Sequence, residues 1–428
     1  MERSGSVFAV QAAVAGRARA LAGPAQDDPR VSGREHLARH ASGPYRRRAD
    51  EAVVYARGMR PVFALLLAAC GGGGAQMTTH DASRVDASAQ DASAAPPHLV
   101  AYISGNAPDI AYYDFDLATG ALTGGGQVPA FAANPSYLAM TRTHLYAVSE
   151  DTDRVGAYAI DPASGALAFI DDVSSGGTGP AHVSVDRTGA FVFAANYNDG
   201  MVAVLPVRAD GGVAAAVANP LAGANAHMIL GDAANKFVFV PCKGADYIAQ
   251  YQFDAATGAL VPNAAPTVPT AAGAGPRHLA FAPNGAFAYL ITENLSTLTA
   301  FAYDAATGRL SPLQTVSNRA PGATGTSTGA EVVVHPMGKF VYASNRGDNT
   351  ISAFAIGADG KVALVGHVAT GLTPRSFTID PTGAWMLVAN QDGNTVTTYA
   401  IDSHTGMPSA SGVTLAYTKP SFVGIVAL

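Results

Sequence analysis

From about residue 98 onward, short apolar runs alternate with clusters of Gly, Pro, Asn and Asp. The stretch from Gly329 shows the unit. An apolar strand (Glu331 to His335) leads to the turn Pro336-Met337-Gly338, and a second strand (Phe340 to Ser344) ends at Asn345-Arg346-Gly347. A third strand, Thr350 to Ile356, alternates apolar and small residues, and Asp359-Gly360 turns it into a fourth near Val362 to Val365. Four short strands joined by such turn residues predict one antiparallel sheet.

The unit repeats. Its opening motif begins at Asn134, Gly179, Ala224, Gly275, Gly329, Thr373 and Lys419, with spacings of 45, 45, 51, 54, 44 and 46 residues. A period of this size is that of β-propeller blades. The final copy, Lys419 to Val426, offers a first strand without successors. The segments Leu99 to Ser104, Ile110 to Asp116 and Ala121 to Val128 offer successors without a first strand. Joining them completes a mixed blade and closes the ring, which removes open sheet edges. The expected fold is all-β: a seven-bladed β-propeller over residues 98–428, with six intact blades and one composite blade.

The preceding residues read differently. Residues 1–58 lack a clear structural period and contain the run Arg46-Arg47-Arg48; we expect a non-native or disordered extension. Residues 59–70 have a secretory layout: Met59, Arg60, a short apolar run, then Leu67-Ala68-Ala69-Cys70, which resembles a lipobox. Translation is expected to begin at Met59 and lipidation to fall on Cys70. Residues 71–97 repeat Asp-Ala-Ser three times and form a flexible linker by composition. The expected location is therefore the cell envelope, with membrane contact only through the lipid anchor.

Charge narrows the partners. Residues 1–58 carry ten Arg against six acidic residues and Arg60 adds one, so a chain of net charge −6 leaves −11 from Cys70 onward. Nucleic acid is excluded as the main partner, because phosphate backbones demand concentrated Lys and Arg. The two cysteines, Cys70 and Cys242, form no disulfide framework. Neither metal-ligand spacing nor a Gly-rich phosphate loop is evident, so no metal or cofactor is expected. Nothing in the repeat demands more than a monomer.

In a propeller the start of strand one and the end of strand two share a face. The strand-two ends are Glu150, Tyr197, Lys243, Glu293, Arg346 and Gln391. The strand-one starts supply His182, His227, Arg277 with His278, Glu331 and Arg375. One polar strand tip is an ordinary solvated loop end. Polar tips repeated around one channel mark a ligand site. His335, at the opposite face, and Cys242 are expected to be structural.

Gly179-Pro-Ala-His-Val, Gly275-Pro-Arg-His-Leu-Ala-Phe-Ala-Pro-Asn-Gly285, Glu331-Val-Val-Val-His-Pro with Ala343-Ser-Asn-Arg-Gly347, and Pro374-Arg-Ser-Phe with Val388-Ala-Asn-Gln391 resemble the β-propeller lactonase family. That family includes 6-phosphogluconolactonases and carboxymuconate-lactonizing enzymes. The resemblance implies a catalytic set of His227, Arg277, Glu293 and Arg346. It implies a small lactone or carboxylate ligand, and the strand tips His182, Tyr197, Lys243, His278, Glu331, Arg375 and Gln391 are placed to contact it at the shared mouth. His227 or Glu293 would serve as base and acid, and the arginines would hold the oxyanion and product carboxylate. Two features depart from the family: a short loop, Pro220 to Ala226, before His227, and Cys242-Lys243 in place of the usual acidic residue. An exported protein would also be poorly placed for a cytosolic phosphorylated substrate. A non-catalytic ligand-binding propeller is the alternative.

Overall fold

The computed structural model describes residues 98–428. The extension, the lipobox with Cys70 and the linker lie outside the described residues. The described part contains no helix and divides into seven sheets. Blade 1 is the composite: Pro420–Ala427 is its inner strand, followed outward by Leu99–Gly105, Asp109–Phe115 and Leu122–Pro129. Blade 2 runs from Tyr137–Met140 to Leu167–Ser174. Blades 5, 6 and 7 begin at Pro276–Phe281, Gly329–Val334 and Pro374–Ile379.

The second strand of each blade explains the continuous apolar runs. Phe340–Asn345 is buried at every position, because both its faces meet neighbouring blades. The outer strand Val362–Ala369 is buried only at its first residue and is otherwise exposed or half-buried at the rim. Seven apolar clusters result, one at each interface between adjacent blades. The interface of blades 7 and 1 holds Leu387, Ala389 and Val396 against Leu99, Ala101 and Ile103, which closes the ring.

One contact recurs at these interfaces. The first residue of a second strand lies under the glycine of the next blade's outer turn: Phe237 under Gly308, Phe287 under Gly360, Phe340 under Gly406 and Trp385 under Gly120. Each of these glycines has positive φ, and a Cβ would collide with the ring below. Trp385 also donates its indole N–H to Leu117 O at 2.8 Å across the closing interface.

Two blades depart from the expected four-strand unit. Blade 3 has only Pro180–Val185, Phe191–Asn196 and Val202–Pro206 as strands. Its outer segment makes isolated bridges, Val204 with Ala218 and Met201 with Leu221. Ala214, Ala215 and Ala216 give that segment little to pack, and Pro220 lacks an N–H for a ladder. In blade 4 the inner strand shrinks to Leu230–Gly231. His335 and Cys242 are structural, as expected. His335 accepts from Met337 N on Nδ1 and reaches Gly383 O of the next blade at 3.0 Å through Nε2. Cys242 is buried in the core, and burial pushes its thiol up to about 12.

Candidate active site

Each residue after a second strand is pinned by its backbone. Its N–H donates to the carbonyl of the residue opening the inner strand: Tyr197 to Gly179, Lys243 to Asn225, Glu293 to Gly275, Arg346 to Thr328 and Gln391 to Thr373. The accepting residue is often in the left-handed region, as at Gly179, Asn225, Gly275 and Thr373. Asp and Asn side chains from the preceding blade fix it further. Asp153 accepts from Gly179 N, Asp246 from Gly275 N and Asn349 from Thr373 N.

This frame gives a register that differs from the sequence expectation. Asn225, not Ala224, is the structural equivalent of Gly179 and Gly275. His227 therefore matches Arg277 and Arg375, rather than His182 and His278. The inner strands of blades 3, 5, 6 and 7 also carry a β-bulge at their mouth end. Pairing jumps from Pro276 to His278 and from Pro374 to Ser376, leaving Arg277 and Arg375 unpaired. A bulge re-aims the side chain of its extra residue. Arg277, Arg375 and His227 line a cavity of about 300 Å³ with Glu150, Tyr197, Lys243, Glu293 and Arg346.

His182, His278 and Glu331 do not line this cavity; each occupies the next inner-strand position, one layer down, where the bulge turns the side chain into the channel. Tyr137 joins them, 4.4 Å from His182 and 5.8 Å from His278 between ring centres. The three buried groups and the half-buried Tyr137 form a floor, and Glu331 also borders a second cavity of about 400 Å³ below it. Gln391 stands behind the wall, accepting from Arg375 Nη1 at 3.5 Å and donating to Asn106 at 3.2 Å.

Sequence reasoning missed Asn106, the strand-two end of the composite blade, whose N–H donates to Lys419 O at 3.2 Å. It also missed Asp151 and Asn198 on the cavity wall. Asn106 lies far in sequence from its inner strand, which hid the correspondence. The others sit one residue beyond aligned positions.

Glu293 is the centre of the charge pattern. Its carboxylate meets Lys243 Nζ at 2.8 Å, Arg346 Nη2 at 3.1 Å and Arg277 Nε at 3.2 Å. Burial alone would raise its pKa, but Arg277, Arg346 and Lys243 hold it down to about 2. Arg277 is 3 % exposed; burial, then Arg346, lowers its guanidinium to about 9. Lys243 also donates to Tyr197 Oη at 3.2 Å. Across the cavity Arg375 approaches Glu150 at 3.7 Å. Burial, followed by the charge of Arg277, keeps His227 well below the ordinary histidine range, hence neutral. The site thus combines a neutral imidazole with four cations around a small polar cavity. No metal-binding cluster occurs among the described residues.

The model of the family described as "Lactonase, 7-bladed beta-propeller" matches residues 98–425. The chain belongs to this family. It is 34 % identical to the 6-phosphogluconolactonase of Pectobacterium atrosepticum over 295 residues, covering 69 % of this chain and 88 % of that one. It is 32 % identical to the Bacillus subtilis 6-phosphogluconolactonase, covering 65 % and 83 %. Among solved structures, the periplasmic gluconolactonase of Pseudomonas aeruginosa superposes with a TM-score of 0.71 at 31 % identity, covering 77 % of this chain and 99 % of that one. The family match falls on the propeller, residues 98–425.

Proposed function

We propose that the protein is a lactone-hydrolysing carboxylic-ester hydrolase that opens a small sugar- or carboxylate-bearing lactone at the propeller mouth. The observation that carries this reading is the neutral, cavity-facing His227 beside Arg277, Arg346, Arg375 and Lys243. Water attacks the lactone carbonyl and passes a proton to His227. Guanidinium and ammonium groups stabilise the oxyanion that forms. The ring C–O bond then breaks, and the departing oxygen takes the proton back from His227. The hydroxy acid produced ionises and is held as carboxylate by the same cations. Glu293, ion-paired three times, is assigned the task of holding the cations in place rather than removing protons.

The likeness to a periplasmic gluconolactonase supports an unphosphorylated sugar lactone as substrate, in keeping with the export expected from the segment ending at Cys70. The proposed location is the cell envelope, through a lipidated Cys70. A mature protein beginning at acylated Cys70 is expected by mass spectrometry; an unmodified Cys70 still preceded by residues 1–69 overturns that placement. The test of activity is opening of gluconolactone and its 6-phosphate by wild type and by Arg346→Ala. Turnover of the unphosphorylated lactone, lost in the variant, supports the reading. Ligand binding without turnover of either lactone refutes it in favour of a binding propeller.

A further inference from the structure

The mechanism above makes no use of Glu331 and His278, although both are buried directly beneath it, at 5 % and 1 % exposure. Nδ1 of His278 lies 2.7 Å from Glu331 Oε1. The same oxygen accepts the backbone N–H of Val332 at 3.1 Å. With two groups converging on Oε1, a carboxyl proton belongs on Oε2, and His278 carries its hydrogen on Nδ1. Nε2 of His278 is then a bare lone pair, and it is buried with no partner.

His227 has the complementary vacancy in its bonding: its Nδ1 is buried and unpartnered, while the residue lines the mouth. The two rings are 5.2 Å apart between centres. That separation matches a direct N–H···N hydrogen bond between two imidazoles, reached by rotating the rings edge to edge. When the two nitrogens bond directly, both are satisfied only if His227 places its hydrogen on Nδ1. Its Nε2 is then left unprotonated on the cavity side.

We propose that Glu331 and His278 are positioning residues that hold His227 in the Nδ1–H tautomer, so that a basic Nε2 faces the lactone. The proposal rests on the reading of His227 as the base. It follows the general rule that the partner of one imidazole nitrogen sets the chemistry of the other. The surroundings favour transmission of a hydrogen-bond pattern over transfer of a charge. Burial, then Arg277, Arg375 and Arg346, disfavours a charged His278, with Glu293 opposing. Tyr137 and His182 pack against its ring.

The test is ring-nitrogen NMR of the full chain with ¹⁵N-labelled histidine, with the His227 signals assigned by their loss in His227→Asn. In wild type, His227 is expected to show a protonated Nδ1 and a bare Nε2. Glu331→Gln keeps this pattern, since the amide oxygen still accepts from His278 and Val332, while kcat falls several-fold. His278→Phe and Glu331→Leu lose the pattern, and kcat falls about tenfold to a hundredfold with KM little changed. Far-ultraviolet circular dichroism and melting establish that each variant is folded. A wild-type His227 protonated on Nε2 overturns the proposal, and so does an unaltered His227 pattern in folded His278→Phe or Glu331→Leu. The ring pattern is read in the free protein. The expected pattern without turnover of any lactone would therefore refute the hydrolase reading and leave the tautomer assignment standing.

Discussion

The mouth and the lower channel share the same inner strands, with the second-strand ends added at the mouth, yet they are chemically opposite. The mouth gathers Arg277, Arg375, Lys243 and Arg346 around Glu293. The cavity below is bordered by Met140, Met228, Phe281, Phe377 and Ile425, with Glu331 at its edge. The two carboxylates answer their surroundings in opposite ways. Glu293 is held down to about 2 by its cations, whereas burial pushes Glu331 up to about 8. In blades 3, 5 and 7 one bulge residue separates the compartments, since it turns one side chain up and the next one inward. A polar residue at this end of a blade therefore has a role set by which side of the bulge it occupies.

The largest effect that would break this contrast is at the mouth. His227→Ala is expected to lower kcat/KM for lactone opening by about a thousandfold, as loss of a general base does. Steady-state assay of the folded variant checks it. A drop of only a few-fold would place the base elsewhere.

The carboxylates sharpen the comparison through pH. A group such as Glu331, raised above its unfolded value, costs nothing below about pH 4.5. It increasingly destabilises the fold as pH rises toward 8, by several kcal/mol in total. Denaturation of wild type should therefore become easier across that window, and Glu331→Gln should remove most of the decline. Glu293 behaves in the reverse sense. Its depressed pKa contributes about 3 kcal/mol above pH 4.5, lost as pH falls toward 2. Denaturation of Glu293→Gln should show its largest deficit near neutrality and approach wild type in acid.

Behind the wall the effects become small. Gln391→Ala removes a long hydrogen bond from Arg375 and an exposed one to Asn106, and should raise KM only a few-fold, with melting nearly unchanged. A loss as large as that of Arg346→Ala would mean that Gln391 reaches the ligand itself.

Much of this was legible in one dimension. The repeat spacing, the turn residues and the missing strands at the two ends led to seven blades and the composite closure, because sheet pairing is dictated by local periodicity and by the need to cover edges. The strand-two ends were legible for the same reason, since each follows a run of fully buried residues. Tertiary structure decided what each inner-strand residue faces. His182 and His278 stand beside mouth residues in sequence, but the unpaired residue before each turns it into the floor. His227, one register away from its apparent match, rises into the cavity instead. A bulge depends on how a strand pairs with its neighbour, and pairing exists only once the blade has formed. Residue types and spacing were sufficient to determine the ring; the direction of each side chain within it required the ring to be assembled.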